Sequence, residues 1–206
     1  MELTVHQQDA LTELINIGYG RAAGSLSELT GYRITLEVPQ VSMHELSAIA
    51  PMLQNVIQQD VASVKQLFSG PVAGDALLIL DQNAALALSR LLTDDRSGLQ
   101  ELDLSAREII TEVGNILLNA CLGVFGNLLK IHISFAVPQL QLGSVSGVLA
   151  DVASGPLEAV RYGLMIHTRF YVRAGNVAGY LVIILGIASL DRLLQELENW
   201  EKRQVE

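Results

Sequence analysis

Two patterns of hydrophobic and polar residues occur along the chain, and each occurs twice. Apolar residues at steps of three and four predict one long helix that ends before Gly31 and a second long helix that begins near Ser105. After each helix, apolar and polar residues alternate with period two as far as a proline, Pro39 in the first case and Pro138 in the second. Such alternation is typical of a half-buried strand. Each half of the chain is therefore predicted to contain a long helix followed by a strand.

The packed face of each helix follows from the spacing of its apolar residues. In the first helix this face contains Leu11, Ile15, Gly18, Ala22, Leu26 and Leu29. In the second helix it contains Ile110, Gly114, Leu117, Cys121, Phe125 and Leu128. A glutamate and an asparagine lie three residues apart on the opposite face of each helix, and therefore project together: Glu13 with Asn16, and Glu112 with Asn115.

Signals for helix ends agree with these positions. Thr4-x-x-Gln7 and Ser105-x-x-Glu108 both fit a capping box, in which a hydroxyl and a longer polar side chain satisfy backbone amides reciprocally. Gly31 fits the end of the first helix. The strands that follow are predicted to bury their apolar positions, which are Tyr32, Ile34, Leu36 and Val38 in the first and Ile131, Ile133, Phe135 and Val137 in the second.

The two patterns are related by an offset of 99 residues. The sequence Glu-x-x-Asn, followed by 22 residues and a proline, starts at Glu13 and again at Glu112. Two further runs recur at drifting offsets: Val72-Ala73-Gly74 at 177–179, and Arg90-Leu91-Leu92 at 192–194. An internal duplication explains these matches. It predicts a single domain, 1–206, made of two homologous halves, about 1–101 and 102–206, each running helix, strand, variable segment, strand pair and helix.

Composition excludes several classes of function. Of the 206 residues, 50% are hydrophobic and 17% are charged, which is enough apolar material for a core and excludes disorder as the main state. The formal net charge of -9, without any basic run, disfavours nucleic acids and acidic membrane surfaces as partners.

The same sequence predicts a cytoplasmic protein without membrane insertion. Cys121 is the only cysteine, so no intramolecular disulfide can form, and the first residues lack the basic start and apolar core of a signal peptide. The apolar segments 113–129 and 179–190 are shorter than the roughly 20 residues that a spanning helix needs. We therefore expect both segments to be buried in the core.

The two Glu-Asn pairs are the strongest candidates for chemistry. A carboxamide is not a useful general base, but it can hold a water molecule, and a carboxylate beside it can bind a lysine or arginine of a partner. This combination suits phosphoryl transfer, in which orientation of the nucleophile and stabilisation of charge do most of the work. The sequence contains no P-loop, C-x-x-C or H-E-x-x-H motif. A solvated helix face without a function is the alternative interpretation.

The sequence around both pairs resembles the CheC family of chemotaxis phosphatases, within the CheC/CheX/FliY superfamily. The resemblance covers nearly the whole chain and rests on Asp9-x-x-x-Glu13-x-x-Asn16, the run 16–23, Glu108-x-x-x-Glu112-x-x-Asn115, the run 114–117, and the two prolines. Glu108 departs from the Asp or Ser with which the family's motif usually begins. Chain length and two intact pairs favour CheC over the single-site CheX proteins and over FliY and FliM, which usually carry an added domain.

The resemblance implies a fold, a reaction and a partner. The fold is a pseudo-twofold α/β (α+β) arrangement in which two long matched helices pack beside an extended, largely antiparallel sheet. The reaction is hydrolysis of the aspartyl phosphate on the response regulator CheY. In it, Asn16 and Asn115 orient the attacking water, and Glu13 and Glu112 bind the regulator's active-site lysine. The chain binds no cofactor of its own, since Mg²⁺ comes with the regulator, and some family members also pair with the receptor deamidase CheD.

Two rival functions stay open at this point. One is a non-catalytic adaptor, or a protein related to the flagellar switch, that binds phosphorylated CheY or CheD without hydrolysis. The other is a sensory domain that binds a small ligand, although no polar cluster in the sequence favours it.

Five other residues have a mainly structural interpretation. Cys121 lies on the packed face and is expected to be a buried thiol. His132 and His167 lack a second ligand at metal spacing. Trp200 is expected to fold back onto the protein, with a docking site as the alternative. Asn119 lies one turn beyond Asn115 and stays outside the catalytic set, because its counterpart in the first half is a glycine.

Overall fold

A computed structural model describes residues 3–93, 102–153, 161–172 and 175–205. The helices are α1 (Val5–Thr30), α2 (Leu46–Val56), α3 (Gln82–Thr93), α4 (Leu104–Leu129), α5 (Val145–Ala153) and α6 (Ile187–Val205). The strands are β1 (Ile34–Leu36), β2 (Gln40–Glu45), β3 (Val61–Ser69), β4 (Gly74–Asp81), β5 (Ser134–Phe135), β6 (Gln139–Gly143), β7 (Arg161–Val172) and β8 (Gly175–Gly186). The predicted junction between the halves, at about 101, borders residues 94–101, which lie outside the described residues.

Both halves contain the same order of elements: helix, two short strands, helix, two long strands, helix. The order agrees with the predicted one, and α2 and α5 fill the segments that the sequence pattern left undefined. The two long helices are each 26 residues long. The duplication itself stays a prediction.

The described strands form one eight-stranded antiparallel sheet that interleaves the two halves. At its centre β4 pairs with β8, where Leu77 lies opposite Val182. The short strands of each half pair with a long strand of the other: β1 and β2 with β7, and β5 and β6 with β3. Because of this exchange, each half completes the sheet of the other.

Helices cover both faces of the sheet. On one face α1, α3, α4 and α6 pack on a large apolar cluster, and on the other α2 and α5 pack on a smaller one. Successive residues of β4 alternate between these clusters, with Leu78 in the large one and Ile79 in the small one. A strand with both faces covered is expected to be apolar, and residues 76–80 of β4 are.

Glycines let α4 approach its neighbours closely. A Cβ atom at Gly18 of α1 would lie 2.8 Å from the Cα atom of Cys121, and one at Gly114 would lie 2.5 Å from the Cβ atom of Val64 on β3. Contacts this short leave no room for a methyl group. The two long helices are therefore held against each other, and α4 against the sheet, at positions that only glycine allows.

The ends of the long helices agree with prediction at α1 and differ at α4. Thr4 and Gln7 form the predicted capping box, and Gly31 ends α1 with φ 70. The predicted box at Ser105 and Glu108 is wrong. The N-cap of α4 is Asp103, whose carboxylate accepts a hydrogen bond of 2.8 Å from the Ala106 amide. The helix thus begins before Ser105, whose hydroxyl is no longer at the position that caps.

The predicted packed faces are buried except near the helix ends. The predicted apolar positions of α1 are buried as far as Leu26, but Leu29 in the final turn is 60% exposed, so its predicted burial is wrong. On α4 the predicted positions are buried as far as Phe125, and Leu128 is half-buried. On α1 the buried face ends one turn before the spacing predicts, whereas on α4 Leu129 in the last turn is buried in place of Leu128.

The predicted strands before the two prolines are shorter than the alternation suggests. Val38 and Val137 were expected in the core, but they are 66% and 82% exposed, and Phe135 is exposed as well. Proline has no amide hydrogen and interrupts a ladder of hydrogen bonds. Pairing therefore stops before Pro39 and Pro138 and resumes in β2 and β6.

The apolar segments that raised the question of membrane insertion are parts of the core. Within the described residues, α4 is the one helix whose length and composition would allow it to cross a membrane, and half of its most apolar window is buried inside the protein. The segment 179–190 belongs to β8 and the start of α6, and its strand residues pair with β4 and β7.

Candidate functional site

The first Glu-Asn pair lies on the exposed face of α1. Glu13 and Asn16 are both exposed, whereas Leu14 and Ile15 between them are buried in the core. The buried residues fix the rotation of the helix, so the two polar side chains have to point outward. Within the described part of the chain, neither side chain has a hydrogen-bond partner, which leaves both available to another molecule.

The second pair lies on α4 and is less exposed. Glu112 is exposed and Asn115 is half-buried, and the two buried residues between them are Val113 and Gly114. The close contact of Gly114 with Val64 brings this turn of α4 onto β3. Asn115 is therefore nearer to the sheet than an asparagine on a free helix surface would be.

A chain of amide hydrogen bonds holds Asn115. The Nδ2 atom of Asn119 donates to Oδ1 of Asn115 at 2.7 Å, and Nε2 of Gln66 donates to Oδ1 of Asn119 at 3.1 Å. The same Gln66 nitrogen also donates to the backbone oxygen of Ala136 at 3.0 Å. Gln66 lies on β3 and is 2% exposed. Asn115 thus rests on two side chains and one backbone carbonyl.

Among the residues that the structure describes, the first site has no equivalent chain. Gly20 stands where α4 has Asn119, and it is exposed, with open space where a side chain would begin. Below the first pair, the Tyr19 hydroxyl makes a short hydrogen bond to the Thr168 hydroxyl in the core. Burial raises the pKa of Tyr19, so this contact is a neutral structural bond. The two sites share their outer residues and differ in what supports them.

An open groove of about 440 Å³ adjoins Glu112 at the start of α4. Its lining includes the apolar residues Leu104, Leu140 and Leu142, and Leu104 is 78% exposed. In the first half, the Gln8 side chain reaches across from α1 and donates to the Val41 oxygen of β2 at 2.9 Å. The surfaces beside the two pairs therefore differ as well.

The structure places all four predicted site residues on helix surfaces, as two separate pairs. Asn119, which is outside the predicted catalytic set, donates a hydrogen bond to Asn115. Gln66 is not among the site residues that the sequence predicts. The signal for Gln66 is its position in β3, between the buried residues Val64 and Phe68, where alternation predicts an inward side chain. A glutamine at an inward strand position needs partners, and the sequence does not reveal that they lie on α4 and near β5.

The residues with a structural interpretation lie as follows. Cys121 is fully buried, as predicted, and burial raises the pKa of its thiol. Trp200 is 6% exposed, so it folds back onto the protein as predicted. His132 is exposed, and His167 is half-buried with its ring 5.2 Å from that of Tyr180. The described residues contain no group of three or more His, Cys, Asp and Glu side chains that could hold a metal ion.

Comparison with known proteins finds a family match over the segment that contains the first site. The model of the CheC-like family matches residues 7–43, a range that contains Glu13, Asn16 and Pro39. A relative, the CheY-P phosphatase CheC of Bacillus subtilis (strain 168), is 22% identical over 168 residues, which cover 80% of each chain. The resemblance to the CheC-like family is confirmed. The family match does not extend to Glu112 and Asn115, whose assignment continues to rest on the repeat.

Solved structures with the same fold include FliY and the middle domain of FliM. FliY of Thermotoga maritima has a TM-score of 0.77 at 18% identity and covers 97% of this chain and 100% of its own. The FliM middle domain of H. pylori has a TM-score of 0.63 at 10% identity and covers 94% and 99%. At such identities the likeness shows the fold alone. It confirms the α+β fold with a largely antiparallel sheet that the CheC-like resemblance implies.

Proposed function

We propose that this chain is a phosphatase that hydrolyses the aspartyl phosphate of a CheY-type response regulator. The observation that carries the proposal is that a Glu-Asn pair lies on the surface of each of two matched, closely packed helices, with Asn115 half-buried and the other three residues exposed. The Bacillus subtilis relative supports it, since that protein is named a CheY-P phosphatase. The fold does not decide the question, because FliM shares it.

In this proposal each asparagine orients the water that attacks phosphorus. Asn16 or Asn115 enters the regulator's active site and hydrogen-bonds to the water, while the neighbouring Glu13 or Glu112 binds the regulator's lysine. No general base is required of this chain, because an acyl phosphate is already activated and in-line placement of the water supplies much of the acceleration. The Mg²⁺ that phosphoryl transfer uses is proposed to be bound by the regulator.

The shape of the two sites supports completion by a partner. Both pairs lie on helix surfaces, and Gly20 and Gly123 nearby have open space where a side chain would begin. A regulator can therefore approach the helix backbone without meeting bulky side chains. We propose the cytoplasm as the location, where such regulators act.

The experiment measures the lifetime of a phosphorylated CheY-type regulator with Mg²⁺, with and without the purified chain. Acceleration is expected from the wild-type protein and from each single variant, Asn16→Ala or Asn115→Ala, and none from the double variant. Asn127→Ala is the matched control, because this exposed asparagine lies on the same helix as Asn115 and outside both pairs. Full activity in the double variant would refute the assigned role of the asparagines.

A non-catalytic adaptor related to the flagellar switch is the second candidate, favoured by the fold shared with FliY and FliM. An adaptor would bind the phosphorylated regulator, or CheD, and leave the phosphate lifetime unchanged. Complex formation without acceleration, for each regulator encoded beside this chain, would replace the phosphatase proposal by this one.

A further inference from the structure

The hydrogen bonds beneath Asn115 have a defined direction. A backbone carbonyl can only accept a hydrogen bond, so Gln66 must turn its nitrogen toward Ala136. The same nitrogen faces Asn119, which must therefore present its oxygen to Gln66 and its nitrogen to Asn115. Asn115 in turn must present its oxygen to Asn119. The orientation of the Asn115 amide thus follows from a carbonyl of the backbone, three bonds away.

Burial of Gln66 costs stability, which indicates that this chain of hydrogen bonds does more than pack the core. Gln66 is almost completely buried, and its Oε1 atom has no hydrogen-bond partner. A buried polar atom without a partner destabilises a protein. An apolar side chain at this inward position of β3 would avoid that loss, as Val64 and Phe68 on either side do.

We propose that Asn119 and Gln66 are positioning residues, which hold the carboxamide of Asn115 in one orientation with Nδ2 free for the reaction. The inference rests on the proposed phosphatase function. The Oδ1 atom of Asn115 has one lone pair engaged by Asn119, and its Nδ2 atom has no partner among the described residues. The Asn115 amide is therefore already oriented before the regulator binds, with Oδ1 toward Asn119 and Nδ2 free.

The first site is the internal comparison. Asn16 is exposed and has no side-chain partner in the described part of the chain, and Gly20 offers none one turn later. Its carboxamide has to be ordered when the regulator binds, which costs conformational entropy. The two sites are therefore unequal: the second is oriented beforehand, and the first becomes oriented in the complex.

The test isolates the second site in an Asn16→Ala background and adds Asn119→Asp. The aspartate still accepts from Gln66, but it cannot donate to Asn115, whose amide is expected to turn over. We expect kcat to fall roughly tenfold to a hundredfold, as for a misplaced catalytic group. KM should change little, since Glu112 is intact. Gln66→Leu in the same background, which adds no charge, should lower kcat in the same direction.

Three controls separate positioning from charge and from folding. Asn127→Asp adds the same charge to the same helix away from the site and should leave kcat unchanged. Asn119→Asp in an Asn115→Ala background, where only the first site works, should also have no effect. Circular dichroism and thermal unfolding check that each variant is folded.

Nuclear magnetic resonance tests the orientation without any regulator. The side-chain amide of Asn115 should have a higher order parameter than that of Asn16, and Asn119→Ala, which removes its hydrogen-bond partner, should lower it. Equal order parameters, or an unchanged kcat for Asn119→Asp in the Asn16→Ala background, would overturn the inference. If no regulator is dephosphorylated by the wild-type chain, the phosphatase proposal fails, and the order parameters still decide whether Asn115 is held.

Discussion

At the level of single residues, Lys65 lies beside two carboxylates, Asp75 and Asp151, that differ in burial. Lys65 of β3 lies 2.7 Å from the carboxylate of Asp151 and 3.9 Å from that of Asp75. Asp75 is 5% exposed, and its burial raises the pKa of its carboxyl group although Lys65 and Arg161 oppose the shift. Asp151 is exposed, and the hydrogen bond from Lys65 lowers its pKa. The two carboxylates therefore affect stability in opposite ways.

Asp75→Asn is expected to increase the free energy of unfolding at pH 7. A raised pKa means that the folded state favours the neutral form. The stability gained from that form is complete below the unfolded pKa, about 3.9, and is lost as pH rises through the folded value. The variant stays neutral at every pH, so its advantage should disappear near pH 3. Urea unfolding at the two pH values measures the difference.

Asp151→Asn is the matched control for this prediction. Its pKa is lowered, so its contribution is present above the unfolded pKa and is lost as pH falls through the folded value. The control should destabilise the protein at pH 7 and have no effect at the lowest pH. An advantage of Asp75→Asn that persists unchanged at pH 3 would contradict the assignment.

At the level of elements, the two long helices are set by glycines whose surroundings differ. Gly18 faces the backbone of Cys121, whereas Gly24, one and a half turns later on α1, has open space where a side chain would begin. The same substitution should therefore have opposite effects at the two positions, because a methyl group fits at one and not at the other.

Gly18→Ala should destabilise the protein by about 1–3 kcal/mol, since the helices must separate to admit the methyl group. Gly24→Ala should stabilise it by about 0.5–1 kcal/mol, because alanine favours a helix and meets nothing here. Chemical denaturation of both variants beside the wild type makes the comparison. Equal effects of the two substitutions would show that α1 and α4 are not in the close contact described.

Much at this level could be predicted from the sequence, and the exceptions have physical causes. The spacing of apolar residues identifies both long helices and the outward direction of Glu13 and Asn16, because burial of one face fixes the other. The spacing does not reveal that Asp103 caps α4 before Ser105 can. It also does not reveal the support of Asn115, because Gln66 is distant in sequence and its contact depends on how α4 lies on β3.

At the level of the whole molecule, the short strands of each half pair with a long strand of the other half, so each half needs the other to complete its part of the sheet. β1 and β2 lie beside β7 of the second half, and β5 and β6 beside β3 of the first. We propose on this basis that 1–206 is one domain. The identical element order agrees with a duplication, although the two asparagines differ in what supports them.

A single cooperative unfolding transition is expected for the complete chain. Trp200, buried on α6, reports on the second half by fluorescence, and far-ultraviolet circular dichroism reports on all the helices and strands. The two denaturation curves should coincide. Separate midpoints would indicate that the halves unfold independently and would contradict the proposal of one domain.

Asn16 and Asn115 are proposed to orient the attacking water. A variant that loses phosphatase turnover but still binds the regulator would be the sharpest test of this role. The measurement compares wild type with the double variant Asn16→Ala, Asn115→Ala, for regulator binding and for the rate of phosphate loss with Mg²⁺. The double variant is expected to bind the phosphorylated regulator still, through Glu13 and Glu112, while the regulator's phosphate decays at its own rate. Acceleration equal to that of the wild type would refute the role of the two asparagines.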